Sequence, residues 1–171
     1  MLDIQQGRHS SIHTMVDITS IPGLNRIEIK DQDLYIGATV VLSQIAISPL
    51  VIEHARALSE ACSLIGGPQV RNVATLGGNV AHALPAADGT IAMMALDTRV
   101  LVANRATIRS VPLQEMFLGA GKTALNNKEE FITGFTIPLR KTRQASAFKR
   151  IMRAQGIALP ILNISTWLER D

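Results

Sequence analysis

The sequence predicts an α+β domain: a mixed, largely antiparallel sheet with flanking helices. Three observations carry this. Two segments alternating polar and apolar residues are joined by only two residues, Asp31-Gln32, as an antiparallel hairpin requires. A later segment repeats its apolar residues at helical spacing. The remaining strand-like and helix-like stretches do not alternate one for one, as a doubly wound sheet would need. Composition agrees, because 171 residues with 47% hydrophobic and 18% charged residues supply a core and argue against disorder.

Thr14–Ile18 is a short apolar-alternating run, and Ile21-Pro22-Gly23-Leu24 is a turn, since Pro sets φ at one corner and Gly accepts a positive φ at the next. Arg26–Lys30 and Asp33–Gly37 form the hairpin. Thr39 or Ser48 can cap the next two elements: a short helix through Val41–Ile45, then a longer one through Leu50–Cys62 with Pro49 near its first turn. Val51, Ala55, Leu58 and Cys62 share one face of that helix, which predicts packing on the sheet. From Ile65 to Gly89 periodicity fails and Gly, Asn, Pro and His take over. Thr90–Leu96 then reads as a short helix, and Arg99–Ala103, Thr107–Val111, Glu130–Ile137, Ala147–Ile151 and Leu159–Leu168 as strands, with a glycine-rich loop at Gly119–Lys122. Tyr35 and Trp167 are expected at strand edges with their polar atoms reaching water.

Composition also limits function. Seventeen Lys+Arg against fourteen Asp+Glu give a net charge of +3, too small to mark a nucleic-acid binder. The single cysteine, Cys62, excludes an internal disulfide, a Cys-only zinc site and an iron–sulfur cluster held by this chain alone, and fits a reducing, cytoplasmic compartment. His9, His13, His54 and His82 lack ligand spacing, so no metal site is expected. Met1–Gly7 does not have the residue order of a secretory signal. Leu34–Ile52 is uncharged, but Gly37, Gln44 and Pro49 divide it, so no membrane span is expected. Gly119-Ala120-Gly121-Lys122-Thr123 resembles the end of a phosphate-binding loop, yet Met116 stands where its first glycine is required.

Six basic residues, Arg140, Lys141, Arg143, Lys149, Arg150 and Arg153, fall in a stretch without an acid. Only Phe148 offers an aromatic ring among them, which disfavours nucleic acid. A solvated loop or an anion-compensating stripe is the expectation.

The richest segment is Gly66-Gly67-Pro68-Gln69-Val70-Arg71-Asn72-Val73-Ala74-Thr75-Leu76-Gly77-Gly78-Asn79, followed by Pro85 and Asp88. Paired glycines remove the Cβ that keeps a ligand off the backbone, and turns there can point successive N–H groups at one anion. The same glycines could also serve only a tight turn. Thr75 and Asn79 add donors beside them, and Asp88 an acceptor.

Gln69–Asn79, with Pro85, Asp88 and Ala95-Leu96-Asp97-Thr98-Arg99-Val100, resembles the flavin-binding subunit or domain of the molybdenum hydroxylases, such as xanthine dehydrogenase and aerobic carbon monoxide dehydrogenase. The likeness extends to Met15–Ile18, Glu129–Ile132 and Ala147–Arg150. It implies the second subdomain of a PCMH-type FAD-binding fold. Position by position, it implies FAD contacts at Thr75, Gly77, Gly78 and Asn79 for pyrophosphate and ribityl groups, and at Asp88 for the flavin. It further implies an apolar contact at Ile132, a residue near the ring at Lys149, and Ile65 covering one ring face. The implied setting is a cytoplasmic heterotrimer. Molybdenum cofactor in a large subunit oxidises the substrate, [2Fe–2S] clusters in an iron–sulfur subunit carry electrons, and FAD here passes them to NAD or another acceptor. The resemblance also implies boundaries: 1–145 as an FAD-binding domain lacking its first phosphate loop, and 146–171 as the start of a truncated C-terminal subdomain. A second reading is a non-catalytic remnant that keeps the fold and partner surface without binding FAD.

Overall fold

The computed structural model describes residues 14–84, 87–153 and 159–171. The expectations for Met1–Gly7, His9, His13 and Pro85 lie outside these. Nine strands and six helices are described: β1 Ile27–Lys30, β2 Asp33–Gly37, α1 Leu42–Ile47, α2 Pro49–His54, α3 Arg56–Leu64, α4 Pro68–Arg71, α5 Leu76–His82, α6 Asp88–Ala95, β3 Arg99–Ala103, β4 Ile108–Pro112, β5 Phe117–Gly119, β6 Lys122–Thr123, β7 Phe131–Pro138, β8 Gln144–Ile151 and β9 Leu162–Glu169.

The main sheet has the order β1-β2-β7-β3-β4, and every pairing in it is antiparallel. The predicted hairpin forms with Ile27 opposite Ile36 and Lys30 opposite Asp33. Alternation puts Leu34 and Ile36 of β2, Phe135 and Ile137 of β7, and Val100 and Val102 of β3 into the core, where they meet Leu42, Ile45, Leu58 and Met93 from the helices. Burying such side chains supplies the main driving force, roughly 1.5–3 kcal/mol each.

Tyr35 departs from expectation. It lies on an internal strand and is buried, and its hydroxyl donates to the Gly23 and Thr133 carbonyls at 3.2 Å each. Gly134 on neighbouring β7 makes room, because a Cβ there would stand 2.7 Å from the Tyr35 ring. Trp167 on β9 is exposed, as a strand-edge aromatic would be.

The expected helix over Leu50–Cys62 buries its predicted face, since Val51, Ala55, Leu58 and Cys62 are all inaccessible. It is nevertheless two helices, broken at Ala55 (φ −138°, ψ 51°). The Glu53 carbonyl near the end of α2 accepts from Arg140 Nε at 2.9 Å, so a side chain from beyond β7 satisfies a group the break leaves open. Ser59 on α3 donates to the Ala46 carbonyl at 2.7 Å and ties α3 to α1. Neither Thr39 nor Ser48 caps by its side chain; Ser48 precedes α2, where Pro49 occupies the first turn.

Two further helices, α4 and α5, occupy the segment where periodicity failed, because at four and seven residues they are too short to display a period. Helix α6 begins two residues earlier than expected, at Asp88. The Gly119–Lys122 loop is the tip of a small hairpin, β5–β6, and Gly121 N–H donates to the Ala83 carbonyl at the end of α5. No described helix is long and apolar enough to cross a membrane. Leu34–Ile52 is divided among β2, α1 and the start of α2.

Strands β8 and β9 form a separate antiparallel hairpin docked on α3 and α6. The core-facing residues of β8 are Ser146, Phe148 and Arg150; Lys149 projects to the other side, opposite Ile164, and is exposed. The basic stripe is thereby divided. Arg140, Lys141 and Arg143 precede β8 while Lys149 and Arg150 lie near its far end, about 20 Å along the strand.

A cleft at the start of helix α5

Helix α5 is placed by the chain just before it. Thr75 bridges Val41, and the Ala74 carbonyl accepts from Leu42 N–H at 2.9 Å, which binds the Thr75–Asn79 segment to the connection between β2 and α1. Thr75 then caps α5: its Oγ1 accepts the Gly78 N–H at 3.1 Å. The two glycines have different tasks. Gly77 lets the helix approach the sheet, since a Cβ there would stand 2.7 Å from the Ala38 carbonyl oxygen. Gly78 is exposed, and a Cβ there would touch only Thr75 Oγ1 at 3.3 Å.

These residues border a cleft of about 430 Å³ whose walls include Thr39, Thr75, Gly77, Gly78, Leu125 and Ile132. Four of the sequence-predicted residues, Thr75, Gly77, Gly78 and Ile132, thus meet in one place. Thr39, which the sequence suggests only as a helix cap, joins them as a wall residue. Its hydroxyl is buried and has no hydrogen-bond partner among the described residues, so the cleft wall carries an unused polar group. At one rim, Glu130 accepts from Arg109 Nε and Nη2 at 3.1 and 3.2 Å and from Asn126 N–H at 3.0 Å. The Arg109 hydrogen bonds first, and that of Asn126 second, hold the Glu130 carboxyl below the usual carboxylate range.

Ile65, Asn79 and Asp88 form a second group around the start of α6. Asn79 Oδ1 accepts from Thr90 Oγ1 at 3.1 Å, and a Cβ on Gly89, beside Asp88, would stand 3.7 Å from both Asn79 Oδ1 and Ile65 Cδ1. Ile65 is further fixed through its backbone: Arg71 Nη1 donates to the Ile65 and Gly66 carbonyls at 3.0 and 2.7 Å. Asp88 is not an open carboxylate. One oxygen accepts from Arg150 Nη1 at 2.6 Å and the other from Asn163 Nδ2 at 2.8 Å, so the acid ties α6 to β8 and β9. Arg150 and Asn163 carry no local signal for this, being 62 and 75 residues away in sequence. Lys149 is not brought to the inward face that carries Arg150.

A smaller cavity of about 280 Å³, lined by His54, Leu96, Arg140, Lys141, Ser146 and Trp167, contains none of the predicted residues. Its Arg140 is engaged by the Glu53 and Gln144 carbonyls. The cleft at α5 differs in having glycine backbone in its wall at Gly77 and Gly78, with the buried, partnerless Thr39 hydroxyl belonging to a wall residue. Thr75 Oγ1 already takes the Gly78 N–H, so what the cleft offers there is close approach to the backbone.

The chain is similar to known proteins in sequence and in fold. The chain is 32% identical over 150 residues to the nicotinate dehydrogenase FAD-subunit of Eubacterium barkeri, covering 86% of this chain and 51% of that protein. It is 30% identical over 156 residues to the carbon monoxide dehydrogenase medium chain of Hydrogenophaga pseudoflava, covering 91% and 54%. It thus spans about half the length of these relatives. The solved structure of carbon monoxide dehydrogenase from Hydrogenophaga pseudoflava superposes with a TM-score of 0.85 at 27% identity over 91% of this chain and 53% of that one. For the reconstituted enzyme of Oligotropha carboxidovorans, the TM-score is 0.90 at 24% identity over 100% and 59%, a likeness of fold. Residues 1–140 match the family described as the FAD binding domain in molybdopterin dehydrogenase, and the chain belongs to that family.

Proposed function

We propose that the cleft at the start of α5 receives the pyrophosphate end of FAD, and that the chain is the flavin-holding part of an electron-transfer subunit in a molybdenum hydroxylase complex. The observation that carries this reading is the meeting of Thr75, Gly77, Gly78 and Ile132 in one cleft, with bare backbone at Gly78 and the partnerless Thr39 hydroxyl beside it. Asn79 extends the polar wall toward α6, and Ile65, held by Arg71, offers an apolar surface for one ring face. Asp88 acts through the side chains it holds rather than as a free acceptor, and Lys149 stands outside on the hairpin.

FAD bound here supplies two-electron acceptance and onward delivery; the protein's part is to bind and orient it and to limit water at the ring. In the proposed complex, [2Fe–2S] clusters of an iron–sulfur subunit deliver electrons from a molybdenum-containing large subunit, and NAD or another acceptor receives them. A reducing, cytoplasmic setting suits the lone buried Cys62, whose thiol burial pushes to a high pKa. Residues 1–145 form the FAD-binding unit in this reading, and 146–171 begin a second one.

Titrating the purified chain with FAD while following flavin fluorescence tests the proposal. Saturable quenching with a Kd on the order of micromolar or tighter supports it, and unquenched flavin throughout contradicts it.

A further inference from the structure

We infer that the cavity bordered by the ends of α2 and α6 and by the β7–β8 connection is a second binding site, one for a small aromatic carboxylate, with Arg140 and Lys141 holding the carboxylate and Trp167 covering the ring. The inference is independent of the FAD reading, because this cavity shares no lining residue with the cleft at α5.

The cavity holds about 280 Å³. Roughly 150 Å³ already admits benzene, so a single ring bearing a carboxylate fits. The lining is apolar on one side: Leu96 is buried and Leu139 packs against the core. Trp167 stands opposite Ser146 across the hairpin, on the face that carries Phe148, and this brings its exposed indole to the cavity. An indole there offers a flat apolar surface to a planar ligand. The charged groups set the other end. Arg140 donates from Nε to the Glu53 carbonyl at 2.9 Å and from Nη1 to the Gln144 carbonyl at 3.1 Å. These two bonds fix the guanidinium and leave Nη2 for an outside acceptor. Lys141 is held next to it through its backbone, whose N–H donates to Gln144 Oε1 at 2.8 Å. Neither cation has a carboxylate within salt-bridge distance among the described residues. Asp97 is the single acid in the lining, so Arg140 and Lys141 leave the cavity positive. Two adjacent cations without counter-charges beside an apolar wall suit a ligand with an anionic end and a flat apolar body. A bare anion lacks the body and a neutral ring lacks the charge, so each uses only part of the site.

Trp167 is the only tryptophan of the chain, so indole fluorescence reports on this cavity. Titrating the full chain with benzoate, with excitation where only indole absorbs, is expected to give a saturable change with a Kd on the order of a millimolar or tighter. Benzyl alcohol, which keeps the ring, and phosphate, which keeps the charge, are each expected to bind about tenfold more weakly or worse. Lys141→Glu places an acid on the exposed rim. It is expected to keep the thermal melt of the unaltered chain and to weaken benzoate binding by about tenfold or more. No saturable change with benzoate, equal affinity for phosphate or benzyl alcohol, or unaltered benzoate affinity in Lys141→Glu would overturn the assignment. Each of these results leaves the FAD reading where it stands, since that reading is tested by flavin fluorescence and not by indole fluorescence.

Discussion

The five-stranded sheet and the β8–β9 hairpin are both antiparallel, but they are held to the helices by different forces. In the sheet, Leu34, Ile36, Val100, Phe135 and Ile137 are wholly buried against apolar side chains. The hairpin contributes Phe148 to the same core, while Leu162, Ile164 and Leu168 remain exposed. Its other attachments are directional: Ser146 Oγ accepts from Ala57 N–H at 3.1 Å, Phe148 N–H donates to Glu60 at 2.9 Å, and Asp88 receives both Arg150 and Asn163. Apolar burial tolerates small displacements and sets stability, whereas hydrogen-bonded pairs fix position. The hairpin is the region fixed by directional contacts.

Substitutions separate the two. Phe135→Ala leaves a cavity in the sheet core and is expected to cost about 4 kcal/mol, read as a lower urea midpoint for the whole domain. Asp88→Ala leaves Arg150 buried without its counter-charge and is expected to cost about 3 kcal/mol. Its signature differs, since amide hydrogen exchange should accelerate in β8 and β9 well before it does in β2 and β7. Equal acceleration in all four strands would show that hairpin and sheet are one cooperative unit. Thr75→Ala removes the α5 cap and is expected to cost about 1 kcal/mol, with faster exchange confined to Gly78 and its neighbours.

The smallest effect concerns pH. Glu130 has its folded pKa lowered by Arg109 and Asn126, so its contribution is fully present above the usual glutamate pKa and is lost as pH falls through the depressed folded value. Glu130→Gln should therefore flatten the acid limb of the stability curve and leave neutral-pH behaviour of the hairpin unchanged. An unaltered acid limb would show that the Arg109 contact contributes nothing in solution.

Legibility in the sequence divides along the same line. The Arg26–Gly37 hairpin is observed to within a residue because period-two alternation is a local property. The buried face of 49–62 is observed too, since spacing alone defines it. The break at Ala55 is not legible; the partner of the Glu53 carbonyl, Arg140, lies 87 residues away. Helices α4 and α5 are hidden by their brevity, although Thr75 three residues before Gly78 is a capping signal in plain view. The Thr75–Asn79 motif points to the family that the comparisons show. The engagement of Asp88 cannot be read, because residue type distinguishes an open carboxylate from a paired one only once its distant partners are placed.

The central claim is that a ligand lies against the bare backbone of Gly78, and filling that position tests it most directly. The space beside Gly78 is open except toward Thr75 Oγ1, so Gly78→Leu should preserve the fold while occupying the cleft. FAD titration of the two chains, matched by their thermal melts, is expected to show saturable quenching for the unaltered protein and at least a hundredfold weaker binding for Gly78→Leu. Equal FAD affinity in the two would contradict the account.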